Sequence, residues 1–246
     1  MFHLRKSKLF KVRARCERAW KSFSYAGTNC VNLGFEGNSM STATLTAKKS
    51  YLLQRWQEIL SDPQFSDCHQ RIETDADGNI IMSPRPESEH DEAAFLIRQA
   101  LAYLLAGKSF GELEVLTDQG IKIPDVLWLN PNRSSGHIQK PITPAPDICV
   151  EVCSPTNKIE DLVGKRAAYL QAGAREVWIC REDNQIQFFD AKGQISKSVI
   201  CPQCPNSIEQ IRQRLERPSI KQAIQHLFIR EREPQHPTQE PEPPQR

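Results

Sequence analysis

Residues 145–155, APDICVEVCSP, read as a buried β-strand that nevertheless carries two carboxylates four positions apart. Side chains alternate across a strand, so Asp147, Cys149, Glu151 and Cys153 share one face and Ile148, Val150 and Val152 the other. The apolar face is core. The acidic face requires a partner, because a buried carboxylate without a cation, a metal ion or a proton is costly. Whatever fold forms around this strand has to bring something against those charges.

The surrounding pattern mixes strands with helices. Apolar residues at helical spacing in KKSYLLQRWQEILSD give a short amphipathic helix, and QRIETDADGNIIMSP gives a hairpin around an Asp-Gly turn. The longest helix is SEHDEAAFLIRQALAYLLAGK, with Ser88 placed to cap it, acids in its first turn and Gly107 to stop it. Strands follow over 110–117 and 122–129, then a polar connection, NPNRSSGHIQKPITPAP, and the acidic strand. A helix over 158–172 ends at Gly173. Strands REVWICRE, QIQFFDA and QISKSVI come next, then helices near 207–216 and 219–229. Strands interleaved with helices and hairpins indicate α/β or α+β rather than a doubly wound parallel sheet.

The second strand of interest begins IPDVLWL, so Asp125 follows a proline as Asp147 does. If the two strands are neighbours, Asp125 sits opposite Glu151 at a sheet end. The connection between them is long, which points to function or flexibility. Carboxylates clustered on adjacent strands repel one another unless a divalent cation lies between them, and hard oxygen donors suit Mg2+ or Mn2+. In the next helix Asp161, Lys165 and Tyr169 fall on one face at i, i+4 and i+8. Packed back over the strand, that helix could aim Lys165 at Glu151, where an ammonium could orient water or neutralise phosphoryl charge. The plainer alternatives are an Asp that caps a turn after proline and a Lys165 paired only with Asp161.

PAPDICVEVCSPTNKIEDLVGKRAAYLQAGAREVWICRED resembles the Uma-type restriction-endonuclease family, a branch of the PD-(D/E)XK nuclease superfamily. The resemblance rests on Pro-Asp before the strand, Glu-Val-x-Ser-Pro at its end, Asp and Lys in the next helix, Tyr-x-x-x-Gly, and Glu-x-Trp opening a strand. DGNIIMSPRPESEH, IPDVLWL and CPQCPNSI look like further family segments, so the resemblance covers about residues 45–215. It implies a mixed α/β fold with a restriction-endonuclease-like core, a central mixed sheet flanked by helices, and metal-dependent endonuclease activity on DNA. It further implies Asp125 and Glu151 as metal-binding carboxylates, with Asp147 as a further ligand or a cap. The superfamily lysine two residues beyond the glutamate is replaced here by Cys153, and the resemblance points instead to Lys165. Glu89, His90 and Glu92 of the long helix are placed to reach the site from the side.

The rival reading is a nuclease fold that has lost its chemistry and binds nucleic acid or serves assembly. Residues 1–39 hold eight Lys/Arg against two acids, leaving about −4 for the rest of a chain whose net charge is +2. Such a body gives no general argument for nucleic-acid binding. Residues 1–44 read as a basic extension: a disordered arm, an Arg-rich targeting peptide, or a segment upstream of a true start at Met40. A weaker reading has Lys and Arg of residues 5–21 gripping phosphates without cleavage. The domain is expected over 45–229, followed by a disordered Pro/Glu-rich tail over 230–246.

No apolar run approaches the ~20 residues of a membrane span and no secretory signal opens the chain, so a cytoplasmic protein is expected. Cutting both strands of DNA would suit a homodimer. Cys201-Pro-Gln-Cys204 has the spacing of half a zinc site, but no second pair exists and His226 alone cannot complete it. Buried cysteines such as Cys149, Cys153 and Cys180 read as small apolar residues.

Overall fold

Alternating apolar residues in the middle of the chain build a six-stranded mixed sheet, and helices cover both of its faces. The structure, a computed structural model, describes residues 42–65, 70–83, 88–154 and 159–220. The chain divides into Met1–Leu45 and Thr46–Arg246, and the second unit carries the architecture described here. The basic extension up to residue 41, the final predicted helix beyond Ile220, His226 and the Pro/Glu-rich tail lie outside the described residues.

The sheet comprises β3 (Lys108–Gly111), β6 (Val126–Leu129), β7 (Ile148–Val152), β8 (Glu176–Cys180), β9 (Ile186–Asp190) and β10 (Gly193–Ile195). Its order is β10-β9-β8-β7-β6-β3. Only β7 and β8 run parallel, and α4 (Ile159–Gln171) connects them, as a parallel pair requires a crossover. On one face α2 (Ser88–Leu104) and α5 (Ile208–Leu215) pack Ile97, Leu101 and Ile211 against Val126, Val150, Val152 and Trp178. Trp178 meets Phe188 edge-to-face with ring centroids 5.0 Å apart, a geometry adding about 1 kcal/mol beyond area burial. On the other face, Tyr169 of α4 packs with Cys149 and Val177. This is the mixed α/β architecture expected from the sequence.

Two small antiparallel sheets complete the unit: β1 (Arg71–Thr74) with β2 (Ile80–Ser83), and β4 (Val115–Thr117) with β5 (Gly120–Lys122). Helix α1 (Thr42–Ser61) buries Leu52, Trp56 and Ile59, spaced by four and three residues, on Leu116 and Ile121. It begins earlier than the predicted segment. A short helix, α3 (Pro131–Ser134), is capped by the Asn130 side chain, which accepts from the Asn132 N–H.

Three predicted strands come out shorter, each for a local reason. The run 110–117 breaks at Glu112, whose φ of 48° turns the chain out of the central sheet. The run 122–129 breaks around Pro124, which has no N–H to donate to a ladder. After Ile195 the backbone leaves the sheet because the buried Glu176 carboxylate takes its donors: Val199 N–H at 2.7 Å, Ile200 N–H at 2.8 Å and Ser198 Oγ at 2.6 Å.

Candidate active site

Antiparallel pairing fixes the two acids that sequence places together. Val126 is opposite Val150, so the next step of the register sets Asp125 beside Glu151 on the same face of adjacent strands. Asp125 precedes β6 and its Oδ2 accepts the Val152 N–H at 2.7 Å, which anchors the carboxylate against the end of β7. Asp125 is 4% exposed and Glu151 3%, so neither charge is left to solvent.

Each acid has its own set of partners. Arg71 Nη2 donates to Asp125 Oδ1 at 2.6 Å and also pairs with Glu112. His90 Nε2 lies 3.2 Å from Asp125 Oδ2. Burial pushes the Asp125 pKa up, but His90 and Arg71 outweigh it and hold the carboxyl below its ordinary value. Glu151 Oε1 accepts from the Tyr169 hydroxyl at 2.7 Å, and its Oε2 lies 3.3 Å from Lys165 Nζ. Here burial prevails: Lys165 opposes it, yet the Glu151 pKa is pushed up to about 7. Burial works against the Lys165 charge too, but Glu151 and Glu73 overcome it and its pKa is raised.

The residues that sequence reasoning did not single out are Arg71 and Glu73. Both belong to β1, whose strand alternation puts them on one face. Glu73 Oε1 accepts from Lys165 Nζ at 2.8 Å and from the Ile123 N–H at 2.8 Å. Contacts to the following hairpin fix β1 in place. Thr74 Oγ1 accepts the Ile121 N–H at 2.8 Å, and the Thr74 carbonyl accepts Lys122 Nζ at 2.8 Å. Gly120 has φ +98°, and a Cβ there would lie 2.3 Å from the carbonyl oxygens of Thr74 and Asp75. Only glycine admits so close an approach.

The other candidates separate cleanly. Lys165 pairs with Glu73 and Glu151, while Asp161 is exposed. Of the long-helix residues, His90 reaches the cluster; Glu92 is paired with Arg212 at 2.5 Å and Glu89 is exposed. Asp147 must be corrected as a further ligand. It lies four residues from Glu151 at the opposite end of the strand, about 13 Å away at ~3.3 Å per residue. Its oxygens accept from the Asn130 backbone N–H at 3.1 Å and from Asn130 Nδ2 at 3.0 Å, with Arg133 at 3.5 Å. It closes the base of the long connection, which is thereby pinned rather than loose. Cys153, at the usual lysine position, has a thiol that burial pushes up to about 12. Cys201 and Cys204 belong to the apolar core.

Among the described residues no group of three or more His, Cys, Asp or Glu is arranged to hold a metal ion. Mg2+ does not require one, since one or two carboxylates completed by water and phosphate oxygens suffice. An ionised carboxylate offers about four lone-pair sites, and Glu151 accepts from Lys165 at one oxygen and from Tyr169 at the other. Asp125 already meets Arg71 at Oδ1 and the Val152 N–H and His90 at Oδ2, so its room is on Oδ1, and a site on each acid is left to suit Mg2+ or Mn2+.

Residues 56–211 match the family described as "Uma2: Putative restriction endonuclease". The chain belongs to the Uma2 family. Among solved structures it is similar to one titled a putative nuclease belonging to DUF820 from Anabaena variabilis ATCC 29413. The TM-score is 0.52 at 17% identity, over 64% of this chain and 96% of that one, a likeness of fold. The Uma2 match spans β6, β7 and α4, so it contains Asp125, Glu151 and Lys165 as well as Arg71 and Glu73. A comparison with curated proteins finds no match. Among the described residues no helix is long and apolar enough to cross a membrane.

Proposed function

We propose that this protein hydrolyses phosphodiester bonds in DNA as an endonuclease dependent on Mg2+ or Mn2+. One observation carries the reading: Lys165 Nζ stands 3.3 Å from Glu151 Oε2 while the strand register sets Asp125 beside Glu151. Asp125 and Glu151 would hold the ion. When bound, a divalent ion lowers the pKa of water and stabilises negative charge on phosphoryl oxygens.

The chain's own groups supply the rest. Lys165, held as an ammonium, has three donors and no acceptor, so it orients water or a phosphoryl oxygen and does not act as a base. Tyr169 fixes the Glu151 carboxylate, and Arg71 with His90 fixes that of Asp125. A cytoplasmic reaction is our expectation from the sequence, and cleavage of both strands would be served by two copies of the chain.

Incubation of supercoiled plasmid with the protein and Mg2+ or Mn2+ tests this. Nicking or linearisation is expected, with Glu151→Ala and Lys165→Met each slower by at least about 100-fold. Intact plasmid under every metal condition would remove the enzyme reading. The second reading, a fold that binds without cutting, is favoured by one feature: both acids already have cationic partners within the protein. It predicts no Mn2+ binding that depends on Asp125 and Glu151, which calorimetric titration of the alanine variants decides.

A further inference from the structure

We propose that Glu73 is a positioning residue that keeps the Lys165 ammonium from closing onto Glu151, leaving Glu151 able to take a divalent cation; this rests on the metal-dependent reading above. The two carboxylates compete for one ammonium, and the competition is uneven. Lys165 Nζ is 2.8 Å from Glu73 Oε1 but 3.3 Å from Glu151 Oε2. An unopposed ammonium–carboxylate pair shortens to about 2.7–2.9 Å. The shorter contact is made by the acid outside the central sheet.

Glu73 is suited to hold that contact. It is 3% exposed, and the same Oε1 accepts the Ile123 N–H, so the backbone fixes it and it cannot follow the lysine. The neighbouring cation Lys122 does not contest the place, because its Nζ donates to the Thr74 carbonyl. Glu151 is meanwhile held on its other oxygen by Tyr169 and cannot swing toward Nζ. Without Glu73, the lysine's shortest remaining contact is Glu151, the oxygen an incoming cation needs.

The test is a double-mutant cycle on Mn2+ affinity in the full chain, read by titration calorimetry: wild type, Glu73→Gln, Lys165→Met and the double variant. Glu73→Gln should weaken Mn2+ binding about tenfold, a usual cost for a residue behind a ligand. Lys165→Met should bind more tightly than wild type, and the double variant should match Lys165→Met. Excess Mn2+ should restore plasmid cleavage by Glu73→Gln toward the wild-type rate. If the double variant is as much weaker than Lys165→Met as Glu73→Gln is than wild type, Glu73 acts on the ion directly and the proposal fails. Equal affinity of wild type and Glu73→Gln also overturns it, while leaving the metal reading intact. No Mn2+ uptake by any of the four overturns both. Should Glu73→Gln not fold, as judged by thermal melting, Lys165→Met alone decides: affinity no higher than wild type refutes the positioning role.

Discussion

Glu151 and Asp125 lie side by side and burial pushes both pKa values up, yet the net shifts are opposite, because Arg71, His90 and a backbone N–H hold Asp125 while Glu151 has one cation shared with Glu73. Opposite pH dependences follow. Glu151, raised to about 7 from 4.5, contributes stability that is fully present below its unfolded value and is lost as pH rises through 7. Glu151→Gln should therefore melt increasingly above wild type between pH 5 and pH 8. At 1.36 kcal/mol per unit the difference at the upper end is of order 3 kcal/mol. A gap that shrinks over this range would contradict the assignment. Asp125, held below 3.8, contributes stability present above its unfolded value and lost as pH falls through its folded one. Asp125→Asn should thus flatten the acid limb of the stability profile. Tyr169→Phe removes the donor to Glu151 Oε1 and should cost about 1.5–3 kcal/mol in urea unfolding, as for hydrogen bonds to charged groups.

The elements that place these residues are held by specific backbone contacts. Gly120→Ala would set a Cβ against two carbonyl oxygens at a φ that L side chains rarely adopt. We expect it to destabilise by more than about 1 kcal/mol and to slow cleavage through displacement of β1, whereas a change confined to stability would show that β1 does not position the site. Glu176→Gln turns an amide NH2 toward donors that now meet a carboxylate and should cost about 3 kcal/mol in the same assay. Alternation alone made β7, β8 and the two acids legible, because a buried strand with charges on one face admits few explanations. Helical spacing likewise put Lys165 and Tyr169 on one face of α4. Arg71 and Glu73 also alternate in RIET, but their hairpin is outside the central sheet, and only the approach of Gly120 and Ile123 to β1 brings them to the site. Those contacts leave no periodic trace. The long connection misled for a related reason: Asn130, Arg133 and Asp147 close it through contacts between residues distant in the chain.

For the molecule as a whole, an ion held at the proposed site would add stability by mass action. A ligand that binds only the folded state at a hundred times its Kd adds about 2.7 kcal/mol. For a chain of this size that is a rise in Tm of about 5–11 °C. Mn2+ should raise the Tm of wild type in this way and leave Glu151→Ala unmoved; an equal rise in both would place the ion elsewhere. The contact between Glu73 and Lys165 joins positions separated by 92 residues. During synthesis, Glu73, Asp125 and Glu151 all leave the ribosome before the helix that supplies their ammonium. A growing or prematurely terminated polypeptide that stops short of α4 thus carries the acids without the cation the proposed chemistry needs, and the full set of groups comes together only when the later segment docks.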